Sequence, residues 1–94
     1  MELTRSRERI FVQGEDGKLL AEITFPTGED GVADINHTFV DESLRGRGVA
    51  GQLVQAAAQE LRAQGRLTRT SCWYAAQWFE KHPQEQDLLY KDKE

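Results

Sequence analysis

Residues 43–51 read Ser43-Leu44-Arg45-Gly46-Arg47-Gly48-Val49-Ala50-Gly51, and they put glycines and arginines directly before an apolar segment of helical period. Glycines allow backbone N–H groups to converge on an anion, and the start of a helix adds unpaired donors and about half a unit of positive charge. The stretch therefore predicts a phosphate-binding turn. The alternative is a turn that enters a helix and holds no ligand, which leaves the arginines without a purpose.

The segment after this turn has the pattern of one long helix. Apolar residues recur over about Val49–Gln64 at spacings of three and four, which predicts a helix with a single buried stripe. Gly65 is expected to end it, because glycine readily adopts the left-handed conformation that follows a helix. A short strand over about Arg66–Cys72 and a second helix over about Tyr74–Lys81 follow. The predicted turn therefore joins a strand to a helix.

The residues before the turn alternate in polarity and predict three strands. The strands cover Arg9–Gln13, about Leu19–Phe25 and about Val32–Val40, and Asp16-Gly17 indicates a tight hairpin between the first two. In the third strand the alternation assigns one face to Ala33, Ile35, His37 and Phe39. The short connections between consecutive strands predict an antiparallel meander.

The predicted order of elements is β-β-β-α-β-α. It indicates an α/β fold with a mixed sheet, in which an antiparallel meander is followed by one parallel βαβ crossover. A chain of 94 residues is expected to form a single domain over residues 1–94. Ligands bind beyond the carboxyl ends of parallel strands, and the glycine turn and Cys72 both lie there in this prediction.

The composition excludes several classes of protein. The net charge of −4 disfavours a nucleic-acid partner, since nonspecific binding to nucleic acid needs a broad basic face. The single cysteine, Cys72, excludes an internal disulfide framework. The segment Glu2–Glu8 lacks the apolar core of a secretory signal, and no apolar run approaches the ~20 residues of a membrane span. We therefore expect a cytoplasmic protein without a membrane partner.

Two common nucleotide sites are excluded by spacing. Gly46, Gly48 and Gly51 match the dinucleotide-binding fingerprint, but that fingerprint follows the first strand of its fold, and here three predicted strands precede it. The fingerprint also requires an acidic residue about 20 positions later, where this chain has Thr70-Ser71-Cys72. The turn also lacks the Gly-Lys-Ser/Thr of a P-loop. Neither a nicotinamide dinucleotide nor a P-loop nucleotide is therefore expected.

The turn resembles that of a known family. Arg45-Gly46-Arg47-Gly48-Val49-Ala50 resembles the Arg/Gln-x-x-Gly-x-Gly/Ala loop with which GNAT N-acetyltransferases bind the pyrophosphate of acyl-CoA. His37-Thr38-x-Val40-Asp41 before it and Ser71-Cys72-Trp73-Tyr74 after it resemble hallmarks of the minimal, single-domain branch of that superfamily. The resemblance extends from about Arg9 to Leu89. It implies a GNAT-like fold and acetyl-CoA as the acyl donor, and we expect no metal.

The resemblance also implies which residues hold the co-substrate. The pyrophosphate of CoA is expected at Arg45, Gly46, Arg47, Gly48, Val49 and Ala50. The pantetheine arm is expected along the end of the third strand, at Thr38, Phe39 and Val40. A nest of backbone amides at a helix start suits a doubly charged diphosphate, which agrees with the first assignment.

Two residues are candidates for catalysis by the same resemblance. His37 is a candidate general base for the incoming amine, because imidazole gains and loses a proton near neutral pH. A buried structural histidine is the alternative. Cys72 precedes a predicted helix, whose start favours the thiolate. It is expected either to accept the acetyl group or to protonate the departing CoA thiolate, and a small buried hydrophobic residue is the alternative.

One segment departs from the larger members of the superfamily. Many of them carry Phe-Tyr-x-x-x-Gly-Phe after the last helix, with the tyrosine as general acid, and the segment Trp78–Pro83 resembles it. Phe79 stands where the tyrosine would be. The general acid is therefore expected to be Cys72 or Tyr74.

The leading functional prediction is an acyl-CoA-dependent N-acetyltransferase that moves an acetyl group from acetyl-CoA to an unidentified amine. A CoA-binding module without turnover is the alternative, since the usual tyrosine is missing. A small interaction domain that presents Trp73 and Trp78 is a third. A monomer or a weak dimer is expected.

Overall fold

The computed structural model describes residues 2–91. Its strands are β1 (Thr4–Arg5), β2 (Arg9–Gln13), β3 (Leu19–Thr24), β4 (Ala33–Ile35), β5 (His37–Val40) and β6 (Thr68–Thr70). Its α-helices are α1 (Val49–Gln64) and α2 (Trp73–Glu80), and 3₁₀ turns cover Glu42–Leu44 and Pro83–Leu88. None of the helices in this part of the chain has the length and apolar composition needed to cross a bilayer.

The strands form two sheets that share a core with α1. A four-stranded antiparallel sheet has the order β1-β2-β3-β5, and β4 and β6 form a two-stranded parallel sheet. The parallel pair is connected through α1. The predicted α/β class, with its antiparallel meander and one parallel crossover, is therefore confirmed.

The apolar stripe of α1 covers the inner face of the antiparallel sheet. Leu53, Val54 and Leu61 are fully buried on the helix, and Ile10 and Ile23 are fully buried on the strands. Burial of each such side chain contributes about 1.5–3 kcal/mol of hydrophobic free energy. This packing fixes the start of α1, and with it the glycine turn, at the end of β5.

The predicted third strand is interrupted. The sequence predicted one continuous strand through residues 32–40, but the structure breaks it at Asn36. Before the break, Ile35 pairs with Thr70 of β6. After the break, His37 pairs with Thr24 of β3. The chain therefore leaves one sheet and joins the other at this residue.

The break also inverts the alternation of faces, so that part of the prediction was wrong. Thr38 stands opposite the buried Ile23, and residues directly opposite in an antiparallel pair share a face. His37 therefore lies on the outer face, and it is exposed, whereas Ile35 is buried. The period of two holds only along an uninterrupted strand, and Asn36 adds one residue to the count.

Other boundaries differ by small amounts, and one strand was missed. The α1 helix covers the predicted residues, and Gly65 ends it with φ +67° as expected. β6 starts later than predicted, because the N–H of Arg66 donates to the carbonyl of Leu61 at 2.9 Å and so completes the helix end. It also ends earlier, at Thr70, and the N–H of the next residue, Ser71, donates to a carboxylate oxygen of Asp34 at 2.9 Å. β1 pairs with the outer edge of β2, and its two residues are too few to give a pattern.

The two parallel strands diverge beyond one hydrogen bond. The N–H of Cys72 donates to the carbonyl of Ile35 at 3.0 Å. Past this bond β5 pairs with β3, while the chain after β6 enters α2. A wedge thus opens between β5 and the start of α2, and this wedge is the centre of the site described next.

Candidate active site

The glycine turn has a backbone that its glycines make possible. Gly46 and Gly48 have φ angles of +82° and +71°, in the left-handed region. No neighbouring atom lies within 4 Å of a Cβ built at either position. The requirement for glycine is therefore conformational and not steric. The left-handed conformations of Gly46 and Gly48 bring the chain from the 3₁₀ turn at Glu42–Leu44 to the first residue of α1.

The backbone N–H groups of Gly46 through Gly51 have no acceptor within residues 2–91. The first hydrogen bond of α1 runs from the N–H of Gln52 to the carbonyl of Gly48, at 3.1 Å. No side chain caps the helix start. Consecutive free donors at a helix N-terminus are what a multiply charged anion requires.

A cavity of about 150 Å³ lies against the turn. Its walls are Val40, Leu44, Arg45, Gly46, Gly48, Val49 and Ala50. Arg47 instead lines a neighbouring space with Leu44, Val49 and Gln52. The structure thus brings the end of the third predicted strand to the turn, as the proposed path of a CoA chain requires. Leu44 was missed, and its signal in the sequence was an apolar residue among charged ones just before the turn.

The arginines of the turn differ from the other basic side chains. The guanidinium groups of Arg45 and Arg47 have no ion pair or hydrogen bond with any residue in the described part of the chain. Most of the others have a carboxylate within 4.0 Å: Arg5, Arg9, Lys18, Arg62, Arg66 and Arg69. Uncompensated cations beside free N–H donors make the turn an attractive place for an anion.

Cys72 lies at the closed end of the wedge, in contact with Thr38. The hydroxyl of Thr38 is 3.4 Å from the Cys72 sulfur. Burial raises the pKa of the thiol, but the hydrogen bond with Thr38 and the N–H groups of Ala75 and Tyr74 at the start of α2 together lower it by more. The pKa of Cys72 therefore lies below its ordinary value, so a larger fraction is thiolate at neutral pH.

His37 lies on the other side of β5. Its Nε2 is 3.6 Å from a carboxylate oxygen of Glu22, and its side chain is 53% exposed. Neighbours along a strand point to opposite faces, so His37 and Thr38 are on different sides of the sheet. The structure therefore brings Cys72 together with Thr38 and does not bring it into contact with His37. Phe39 shares the outer face with His37, opposite Glu22.

The position of the usual GNAT tyrosine is part of the core. Phe79 is 1% exposed and packs edge-on against Trp78. Tyr74, the other residue considered as an acid, lies on the first turn of α2 and faces α1. A Cβ built on Gly51 would lie 3.5 Å from its hydroxyl. Within residues 2–91 there is no group of three or more histidine, cysteine or carboxylate side chains suited to a metal ion.

Comparison with known sequences gives a family. The sequence profile of the GCN5-related N-acetyltransferase family matches residues 9–88. The protein called NATD1 from Gallus gallus is 32% identical over 57 residues, which cover 61% of this chain and 52% of NATD1. NATD1 from Homo sapiens has the same identity and 50% coverage of its length. The chain therefore spans about half the length of these relatives.

Comparison with solved structures agrees. A GCN5-like protein from Staphylococcus aureus, determined by NMR in solution, superposes with a TM-score of 0.77 at 26% identity, covering 98% of this chain and 90% of that one. A ribosomal-protein-alanine N-acetyltransferase from Brucella melitensis superposes with a TM-score of 0.56 at 12% identity, covering 92% and 64%. The second similarity concerns the fold alone.

Proposed function

Because the chain belongs to the GCN5-related N-acetyltransferase family, we propose that it is an enzyme that transfers an acetyl group from acetyl-CoA to an amine. One observation supports this most strongly. The N–H groups of Gly46 through Gly51 are free, and they lie beside the unpaired Arg45 and Arg47. A diphosphate carries enough charge and enough acceptor oxygens to engage such a turn. The identity of the amine is left open.

The pantetheine arm of the co-substrate is proposed to follow β5. In the described chain, β5 pairs with β3 along one edge, and its other edge faces the wedge. An extended chain that contains amides binds well to a free strand edge through backbone hydrogen bonds. Val40 lines the cavity at the turn, and Thr38 contacts Cys72. The edge from Val40 to Thr38 thus runs from the turn to the thiol.

Cys72 is proposed as the residue that acts on the thioester of acetyl-CoA. Its thiolate is favoured by Thr38 and by the start of α2, which suits a nucleophile that accepts the acetyl group. The same thiol, when protonated, is also able to return a proton to the departing thiolate of CoA. Both roles require the sulfur at the closed end of the wedge, and they differ in whether an acetylated protein forms.

His37 is proposed as the general base for the acceptor amine. It is exposed on the outer face of β5, next to Glu22, where an amine arrives from solvent without crossing the wedge. An imidazole in this position takes the proton from the attacking amine. Because the amine nitrogen bonds to the thioester carbon as it loses its proton, this role requires the thioester and the amine to meet at the edge of β5 within reach of the His37 imidazole.

The test measures binding and transfer in the same preparations. Wild-type protein, Cys72→Ala and His37→Ala are titrated with acetyl-CoA and then assayed for acetyl transfer to a panel of amines. We expect all three to bind and the variants to lose transfer. Binding by the wild type without turnover on any amine would favour a CoA-binding module, and absence of binding would overturn the proposal. Intact-mass analysis after incubation with acetyl-CoA distinguishes an acetylated Cys72 from direct transfer.

The cytoplasmic location and the monomeric or weakly dimeric state stay predictions.

A further inference from the structure

The outer face of the antiparallel sheet, which points away from α1, is open to solvent. On β2 and β3 the side chains that face α1 are buried, Ile10 and Ile23 among them. The side chains on the opposite face of β2, β3 and β5 are all at least partly exposed: Arg9, Phe11, Glu22, Thr24, His37 and Phe39. Because the proposed base, His37, belongs to this face, its neighbours there are candidates for contact with the acceptor amine.

A carboxylate lies in the middle of the outer face. Glu22, on β3, stands directly opposite Phe11 of β2 on one side and Phe39 of β5 on the other. Residues directly opposite on one face have Cβ atoms about 4.5–5.5 Å apart, so Glu22 lies between the two aromatic residues. Its side chain is only 16% exposed. A charge with so little access to water requires polar partners, and its contacts decide what else it is able to bind.

One oxygen of Glu22 is occupied and the other is free. The Nε of Arg9 donates to Oε2, and the Arg9 guanidinium also lies over the Phe11 ring, 4.0 Å from the ring centroid. Oε1 accepts no hydrogen bond from any residue in the range 2–91. The Nε2 of His37 is 3.6 Å from it, which is longer than a hydrogen bond. Glu22 therefore presents a free acceptor oxygen beside the imidazole of His37.

Phe39 adds an uncovered apolar surface next to this oxygen. Among the described residues, no cation and no second aromatic ring lies against the Phe39 ring, whereas Phe11 is covered by Arg9. A ring face attracts cations and also packs against methylene groups. The outer face thus combines a free carboxylate oxygen, an imidazole and an aromatic ring.

We propose that Glu22 determines which acceptors the protein uses, because its Oε1 binds the amine as an ammonium group beside His37 while Phe39 supports the attached carbon chain. The inference rests on the proposed function, in which His37 is the base. An alkylamine with a pKa near that of lysine, about 10.4, is an ammonium at neutral pH. It forms a charge-assisted hydrogen bond with the carboxylate, which an uncharged amine does not form. Glu22 therefore favours strongly basic acceptors over weakly basic ones.

The carboxylate does not oppose the proton transfer that must follow. When the ammonium gives its proton to Nε2 of His37, the N–H bond breaks, the electron pair stays on the nitrogen for attack on the thioester, and the positive charge moves to the imidazole. The resulting imidazolium lies 3.6 Å from Oε1. Glu22 thus faces a neighbouring cation before and after the transfer, and it stabilises both states.

The test compares two compounds of nearly equal size and different charge. n-Butylamine is an ammonium at neutral pH, whereas O-propylhydroxylamine, in which oxygen replaces the methylene next to the nitrogen, is uncharged. Each is titrated into ¹⁵N-labelled protein in the presence of CoA. We expect saturable shifts of the amide signals of Glu22, His37 and Phe39. The wild type is expected to bind butylamine about tenfold more tightly than O-propylhydroxylamine, the size of one hydrogen bond to a charged group.

Two variants isolate the charge of Glu22. Glu22→Gln keeps the shape of the side chain and an acceptor for Arg9, and it is expected to bind both compounds as the wild type binds O-propylhydroxylamine. Glu60→Gln is the matched control, since Glu60 also pairs with an arginine, Arg5, at 3.1 Å but lies on α1. It is expected to keep the preference. In transfer assays, Glu22→Gln is expected to raise KM for butylamine about tenfold with little change in kcat, as for a binding contact.

A third compound distinguishes two sources of the same ammonium group. Nα-acetyllysine N-methylamide carries it on a lysine backbone. Binding tighter than that of butylamine, with the gain dependent on Glu22, would assign the acceptor to lysine in a polypeptide. Equal binding would assign it to a free alkylamine.

Three results would overturn the inference. They are equal affinity of the wild type for butylamine and O-propylhydroxylamine, a preference that survives in Glu22→Gln, and the absence of saturable shifts at Glu22, His37 and Phe39. Each leaves the proposed function intact, because that function is judged by binding of acetyl-CoA and by transfer. If acetyl-CoA does not bind to the wild type, the proposed function itself fails, and the role of Glu22 in acetyl transfer fails with it.

Discussion

The glycine turn and the wedge at Cys72 lie close together, but they are built in different ways. The turn consists of consecutive residues, and its free donors belong to Gly46 through Gly51. The wedge depends on a contact between Thr38 and Cys72, which are 34 positions apart. The turn is therefore a local structure with a conformational requirement, whereas the wedge exists only when both sheets have formed. Substitutions are expected to affect them differently.

The largest expected effect separates chemistry from binding. Cys72→Ala is expected to reduce acetyl transfer about 10²-fold or more, since a positioned proton-transfer or nucleophilic group contributes that much. Affinity for acetyl-CoA is expected to stay unchanged, because the turn does not contain the thiol. Steady-state transfer rates and calorimetric titration measure the two quantities. A Cys72→Ala protein that transfers at the wild-type rate would remove the wedge from the mechanism.

Gly48→Ala tests the turn, where the expected effect is on binding of acetyl-CoA and not on the chemistry of transfer. Alanine at φ +71° is strained by about 1–3 kcal/mol, and relief of that strain rotates the N–H groups away from the anion. We expect a loss of affinity for acetyl-CoA of about tenfold or more. Gly31→Ala is the matched control, because Gly31 has φ +80° and open space but lies outside the turn. Equal loss of affinity in both variants would mean that the effect is one of stability.

Thr38→Val tests the electrostatics of the wedge. The hydroxyl lowers the pKa of Cys72, so its removal raises that pKa, and the thiolate forms at higher pH. The midpoint of the pH dependence of alkylation by iodoacetamide is expected to move upward by up to about one unit, the size of one hydrogen bond. Thr70→Val, in β6, is the control with an unchanged midpoint. A midpoint that does not move in Thr38→Val would show that the start of α2 alone sets the pKa.

The smallest expected effect concerns the strand break. The side-chain oxygen of Asn36 accepts a hydrogen bond from the hydroxyl of Thr24 at 2.6 Å, in an exposed position. Asn36→Ala is expected to lower the free energy of unfolding by about 0.5–1.5 kcal/mol, measured by urea denaturation. The pH midpoint of Cys72 alkylation is expected to stay the same, since the two sheets impose the break. A shifted midpoint would mean that Asn36 itself positions Thr38.

The difference between a local structure and one that requires both sheets also explains what could be predicted from the sequence. The bounds of α1, its ending at Gly65 and the position of the turn all follow from patterns within a few residues. The break at Asn36 could not be predicted, because it reflects competition between β3 and β6 for one strand. As a result, the face of His37 was assigned wrongly, and the contact between Thr38 and Cys72 was not foreseen.

The most direct test is an NMR titration of ¹⁵N-labelled protein with acetyl-CoA, with NAD as the control ligand. If the turn holds the diphosphate, the amide signals of Gly46 through Gly51 shift in a saturable way with acetyl-CoA and not with NAD. The signals of Thr38 and Cys72 are expected to follow the same saturation curve. Two results would contradict the assignment of the turn as the phosphate site. In one, acetyl-CoA shifts amide signals elsewhere in the protein to saturation while the signals of the turn stay in place. In the other, acetyl-CoA shifts no amide signal at all.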